Sequence, residues 1–440
     1  MTNLLVQHAD AVFYGVGLVV ILLIYMPFSP MLIDILMLPR GVQLGIYRYR
    51  HVLWAIVTLC WVIVLVRALG GVGEPTGWSA SIVGALKGVT VGWGPALVGT
   101  GDPVWLKTVV ITALVAIFMF WSGYVPYVMT PPRRPAILDV AEAAKVIDDD
   151  EIVLGVVENG EAHAYLRNAI SRPHFFRDSV GGTPFTVSYC ILCNSAMAFK
   201  SELNGKPMNL KCVTAYNNNI IYHDPETRNY IQQLDGAVFH GPDKGAVLKS
   251  HPVVQATWGE WKKLYPGTKY YHAPSATLRD KMVDGMLQML IPINKLSKRK
   301  KPWHRIRGKL DTRLPAMSYV YALEVGDECK GYPESLLRET PVINDSVGGQ
   351  PIVVMYNAGH DVGGIFAREL DGRLLTFTAI PGPGEAVARD NETGTLWDVT
   401  GRAIEGALAG TTLQGVPHYN KLFWFSWPLF KPGTKLKLAA

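Results

Sequence analysis

The sequence predicts a membrane anchor of three α-helical spans followed by a mainly β (β-rich α+β), tandem duplicated domain. Three observations predict it. Charge is split: residues 1–130 hold six Lys/Arg and four Asp/Glu, leaving 36 and 32 for residues 131–440. Long uncharged runs fall only in the first portion. A series of short motifs in the second portion returns, in the same order, 166–167 residues later. With 49% hydrophobic residues and a net charge of +6, disorder and collagen-like repeats are excluded. Five scattered cysteines, Cys60, Cys190, Cys193, Cys212 and Cys329, exclude a disulfide framework.

The anchor occupies residues 1–135. Residues 11–29 and 108–129 carry no charge and are long enough to cross a hydrocarbon core of about 30 Å. Residues 52–69 form a third span, with Arg67 placed to snorkel at its end. The first run lacks a basic front and a small-residue cleavage site, so it reads as a span rather than a signal peptide. The Gly-rich segment 70–103 fits an interfacial, re-entrant or spanning path equally. Arg40, Arg48 and Arg50 follow the first span and Arg133 and Arg134 the third. The positive-inside rule therefore places the C-terminal region in the cytoplasm.

Two β-rich repeats follow, at 150–272 and 317–437. DSVGGTPFTVSY (178–189) returns as DSVGGQPIVVMY (345–356), and FKSELNGK (199–206) as FARELDGR (366–373). WKKLYPGTK (261–269) returns as WPLFKPGTK (427–435). Runs such as PFTVSYCIL and QPIVVMYN, punctuated by Gly-Gly, Asn-Gly and Asp-Gly, predict strands joined by tight turns. AEAAKVI (141–147) and ATWGEWKKLY (256–265) are the helical candidates. Asp178, Gly181 and Gly182, with Asp345, Gly348 and Gly349, read as structural turns: the carboxylate bonds backbone N–H groups and the glycines supply positive φ.

Between the repeats, 273–316 is a basic linker. Its segment 295–309 carries eight Lys/Arg and no acid. It reads as a solvated loop or as a contact for anionic lipid headgroups. Nucleic acid is not expected, because no recognition fold accompanies the run.

The chemistry-bearing candidates are few. Cys190 and Cys193 form a C-x-x-C pair at a predicted strand end, where a turn brings both sulfurs to one side. Such a pair can hold a metal, copper or zinc, can form a disulfide, or can simply pack. A soft metal would want further ligands, for which His240 is the first candidate and His360 the second. Asn194 and Ser195 either line a small polar pocket or cap the turn. No nucleophile elbow, phosphate loop, dinucleotide fingerprint or haem motif is present. In the second repeat Asn357 stands at the place of Cys190 and His360 at that of Cys193, so chemistry is expected in repeat one, with repeat two as scaffold.

YCILCNSAMAF (189–199), RDSVGG (177–182), NDSVGG (344–349), DPETRNYIQQLDGAVFHG (224–241) and DNETGTLWDVTGRAIEG (390–406) resemble a bacterial family known as domain of unknown function 3179. Ile191 departs from that family's usual proline. The resemblance covers both repeats, present as two tandem copies with the second degenerate, and not the anchor. It implies no particular reaction. Many such proteins look exported, which implies a periplasmic soluble region, opposite to the charge rule; both place the chain in a bacterial inner membrane.

Three functions fit these residues. The first is an accessory or scaffold protein whose spans join other membrane-protein subunits in the bilayer. The second is a thiolate metal-binding or redox protein using Cys190 and Cys193. The third is an enzyme with a pocket in repeat one, against which the sequence leans because no nucleophile–base pair is visible.

Overall fold

The computed structural model describes residues 39–49, 51, 52, 55 and 133–438, apart from 292 and 383. The chain divides into two units, Met1–Val128 and Met129–Ala440. In the first, residues 40–49 are helical. The expected spans 11–29 and 108–129, and nearly all of 52–69, lie outside the described residues. Among the described residues no helix is long and apolar enough to cross a membrane.

The second unit is mainly β with short helices. In its first half, one sheet orders the strands Ala136–Leu138, Lys269–His272, Glu161–Leu166, Ile152–Glu158 and Val254–Thr257. All neighbours are antiparallel except Lys269–His272, which runs parallel to Glu161–Leu166. A second sheet carries Ser250–His251, Ser195–Lys200, Thr183–Cys190 and Phe175–Val180. A third carries Val238–His240, Tyr230–Gln232, Asn219–His223 and Lys211–Tyr216. The second half follows the same order. His418–Phe423, Tyr319–Val325, Glu328–Pro333 and Lys435–Leu436 form one sheet, again with a parallel last pair. Val342–Val347, Gln350–Asn357 and Val362–Ala367 form the next, and Phe377–Ala379, Ala386–Asp390, Leu396–Asp398 and Ala403–Glu405 the last.

Local chemistry sets these elements. The strands Phe175–Val180 and Thr183–Cys190 close through Gly181 and Gly182, both at positive φ (53° and 78°). A two-residue hairpin of this hand matches the strand twist. A Cβ on Gly181 would lie 2.2 Å from the Glu158 carbonyl oxygen, so only glycine fits. The helix Trp258–Leu264 starts where the Thr257 side chain accepts from the Glu260 N–H. Its Trp261 packs on the first sheet at Gly155, where a Cβ would meet the indole at 2.2 Å.

The two halves share one core. Val153, Ala164, Trp258, Trp261 and Tyr270 of the first cluster with Val353, Met355, Phe366 and Trp397 of the second. The halves also pack strand against strand: Val254–Thr257 lies on Val362–Ala367, and His418–Phe423 on Ser195–Lys200. Gln255 seals this crossing by donating to the backbone carbonyls of Asn194 (3.3 Å) and Asn420 (2.7 Å).

The segment 273–316 is more ordered than a linker needs to be. It contains a helix, Leu278–Leu290, and a 3-10 turn, Ile293–Lys298. Part of the basic run is then pinned down. Asn217 and Asn218 each pair their side-chain amides with linker backbone, at Arg307 (2.8 and 3.3 Å) and His304 (2.8 and 3.2 Å). Residues 304–307 are thus a strap fastened to the first half, while Lys298, Arg299, Lys300, Lys301 and Arg305 stay exposed.

Alternation along a strand builds a second recurring feature. Glu161, His163 and Tyr165 share one face of their strand. His163 bonds Asp178 (2.6 Å) and Glu161 (3.1 Å), and Tyr165 donates to Asp178 (2.8 Å). In the second half Glu328, Lys330 and Tyr332 repeat the spacing, with Lys330 (2.8 Å) and Tyr332 (2.9 Å) on Asp345. Each aspartate also accepts from the next backbone N–H at 2.8 Å. Burial pushes the His163 pKa down, but the bonds to Asp178 and Glu161 outweigh it and raise it above the usual value. A raised folded-state pKa gives stabilisation that is complete below the unfolded value of about 6.5. It fades as pH climbs through the higher folded value. Melting temperatures across pH 6–8 are therefore expected to fall more steeply for the native chain than for His163→Lys, which copies the second half. Parallel profiles would contradict this assignment.

Candidate functional site: a buried dithiol in an amide nest

Cys190 ends its strand opposite Ser195, and residues 191–194 make the connecting turn. Asn194 closes that turn at φ 52°, a conformation asparagine tolerates well. The turn folds the Cys193 sulfur back beside that of Cys190. Both thiols are free, at 1% and 0% exposure. Cys190 Sγ lies 3.4 Å from the Asn218 carbonyl oxygen. Cys193 Sγ lies 3.1 Å from Ser195 Oγ and accepts from Asn219 Nδ2 at 3.2 Å.

Around them runs an amide network. Gln233 Oε1 accepts from Ser195 Oγ and Asn219 Nδ2, both at 2.7 Å. Asn219 Oδ1 accepts from Gln232 Nε2 (2.6 Å) and the Leu234 N–H (3.0 Å). Tyr189 donates to Asn194 Oδ1 (2.8 Å), and Asn194 Nδ2 donates to the Lys421 carbonyl (2.6 Å). The Phe423 N–H donates to the Cys193 carbonyl at 3.0 Å. The second half thus closes one side of the thiols, while the strap-bearing Asn217–Asn219 turn closes another.

The electrostatics are asymmetric. Burial raises the Cys190 thiol well above its ordinary value, and neighbouring Cys193 adds to this. For Cys193 burial also pushes upward, but hydrogen bonds from Cys190, Ser195 and Asn219 outweigh it and leave the thiol below its usual range. The Ser195 hydroxyl has one proton and two acceptors within reach, Gln233 Oε1 and Cys193 Sγ, so it can turn to the sulfur when Cys193 ionises. The other thiols lack this support: burial alone drives Cys212 upward, and Cys329 is pushed up to about 11, chiefly by burial.

The histidines lie elsewhere. His240 is exposed, its ring 5.6 Å from that of Tyr230. The His360 ring bonds Glu260, and its backbone N–H donates to Asn357 Oδ1 at 3.1 Å. Among the described residues no three His, Cys, Asp or Glu side chains gather where they could hold a metal ion. Neither His240 nor His360 therefore joins the thiols in a ligand set. At the corresponding hairpin of the second half, Asn357 caps the turn. Asp361 takes the Tyr356 hydroxyl, Arg338 and Lys421, each at 2.5 Å. An ion-pair cluster stands there in place of the thiols.

Sequence reasoning named Cys190, Cys193, Asn194 and Ser195 but missed Asn219 and Gln233, which complete the nest. Their signal was present: amides at 217–219 and 232–233 interrupt β-branched and aromatic strands, and buried amides require partners.

No curated protein and no solved structure matches the chain. One family does, described as a protein of unknown function (DUF3179), in a single match over residues 124–434 that runs across both halves. With the dithiol hairpin, the Asp-Ser-Val-Gly-Gly turns and every strand but Lys435–Leu436 inside those bounds, the chain belongs to the DUF3179 family.

Proposed function

We propose that this is a membrane-anchored accessory protein, held by runs 11–29, 52–69 and 108–129, with a duplicated β-rich module whose first half carries a redox dithiol. The matched strand order and the matched Glu–cation–Tyr–Asp faces support duplication. The second half then serves as scaffold, since it walls the dithiol without carrying a Cys-x-x-Cys pair of its own.

The observation that carries the chemistry is the buried pair itself: Ser195 Oγ and Asn219 Nδ2 lie 3.1 and 3.2 Å from Cys193 Sγ and draw its pKa below the ordinary thiol value, while burial pushes Cys190 above it. Both sulfurs are shielded, so a small oxidant suits them better than a protein disulfide. With a peroxide, the Cys193 thiolate attacks one oxygen and releases hydroxide or alkoxide, forming a sulfenic acid. Cys190 then condenses with it, closing the S–S bond and releasing water. A second reading is a copper(I) ion held between the two sulfurs. Zinc fits less well, because it prefers four ligands.

Peroxide titration of the full chain in lipid nanodiscs, read by peptide mass spectrometry, tests this. The Cys190–Cys193 disulfide should form before Cys212 or Cys329 is modified, and Cys193→Ser should abolish it. Elemental analysis of the purified chain, with the same variant as control, reads the copper arm. Finding neither disulfide nor two-sulfur copper would overturn the proposal.

A further inference from the structure

The helix Leu278–Leu290 has its polarity inside out. Leu278, Met282 and Met289 lie four and eleven residues along from one another's start, on one face, and are 75%, 60% and 75% exposed. The opposite face points inward with Asp280, Val283 and Asp284. Arg172, itself 1% exposed, holds Asp280 at 3.2 Å and Asp284 at 2.5 Å. Arg133 adds a contact to Asp284 at 3.3 Å and donates to the Arg172 carbonyl at 2.6 Å. A helix at a water boundary normally turns its charges out and its apolar stripe in. Here two aspartates are drawn inward by arginines, and the leucine and methionines are left outside.

We infer that this helix lies flat on an anionic lipid surface, with Leu278, Met282 and Met289 in the acyl boundary. This rests on the membrane-anchor reading. Two features select lipid over a protein partner. Exposed Lys281, Lys295, Lys298, Arg299, Lys300, Lys301 and Arg305 lie on or just after the helix and make no ion pair with an acid among the described residues. They complement anionic headgroups. Arg133, which ties the helix down, follows the uncharged run 108–129 by four residues. An in-plane helix with an apolar stripe and flanking Lys/Arg is the arrangement that binds such an interface. The surface lysines alone would give contact without depth; the stripe gives insertion.

The test uses the full chain in nanodiscs of phosphatidylcholine with and without phosphatidylglycerol. A phospholipid bearing a diazirine near the top of its acyl chain is photolysed, and adducts are mapped by peptide mass spectrometry. In parallel, hydroxyl-radical oxidation of methionine reports water access. Adducts are expected on 278–290 and on 108–129. The helix adducts should increase several-fold with phosphatidylglycerol and be lost in Met282→Glu/Met289→Glu, whose exposed sites leave folding intact. Adducts on 108–129 alone, with Met282 and Met289 readily oxidised, would overturn this inference and leave the anchor standing. Protection from both reagents would overturn it in favour of a protein cover. Adducts on neither segment would defeat the anchor reading itself, and equal yield in neutral lipid would defeat the anionic preference.

Discussion

Arg172→Met is expected to destabilise the β-rich unit by about 3–5 kcal/mol, the range for removing one partner of a buried ion pair. The guanidinium is 1% exposed and bonds Asp284 through Nε (2.5 Å) and Asp280 through Nη2, both at its carboxylate (3.2 Å) and its backbone oxygen (3.1 Å). Asp280 is as buried as the arginine. Methionine fills much of the volume but leaves two inward carboxylates, Asp284 with Arg133 (3.3 Å) and Asp280 with only a long contact to Arg279 (4.0 Å). The loss should be local first. Limited proteolysis is expected to cut within Leu278–Leu290 before the sheets open, because that helix is tied to the body largely through this cluster. Neutralising the partners as well, in Arg172→Met/Asp280→Asn/Asp284→Asn, should recover part of the stability, since the penalty is that of unpaired charge. A melting temperature unchanged in the single variant would refute the cluster's role.

Asn219→Leu is the second large effect. The side chain is fully buried and serves five groups: it accepts from Gln232 Nε2 and the Leu234 N–H, and its amide reaches Gln233 Oε1, Cys193 Sγ and, at 3.4 Å, Ser195 Oγ. Leucine keeps the bulk and strands two donors. Each buried unsatisfied group costs about 1–3 kcal/mol, so a loss of about 3 kcal/mol in the unfolding free energy is expected. The functional consequence is separable from stability. Cys193 loses one of its supporting donors, its thiol rises, and alkylation by a small reagent at neutral pH should slow by about tenfold. The rate should recover at higher pH, which distinguishes a thiolate effect from mere unfolding, because unfolding would speed the reaction. Equal rates in the two proteins would remove Asn219 from the site.

Much of the local architecture was readable from residue order. PFTVSYC and QPIVVMYN lie in strands, with Ile191 and Leu192 already in the turn; ATWGEWKKLY contains the helix Trp258–Leu264, and AEAAKVI overlaps a shorter one, Val140–Ala143. The helix Leu278–Leu290 was not readable, for a physical reason. Its aspartates face inward, so the stripe that usually marks a buried face marks an exposed one. Nothing in the basic run's own residues announces the asparagines that fasten it, whether the run is a solvated loop or a headgroup contact. Those lie 86 and 90 residues away in the chain.

By itself the sequence determined what depends on near neighbours: the period-two alternation of the strands, the glycine pairs that allow positive φ, and the turn that sets Cys193 beside Cys190. Only the tertiary structure decided which distant groups meet. Asn219 reaches Cys193 across 26 residues, and Arg172 reaches Asp284 across 112. A buried thiolate or carboxylate is stabilised by whatever donors the packing of separate sheets and helices brings within about 3 Å, and no local pattern encodes that distance.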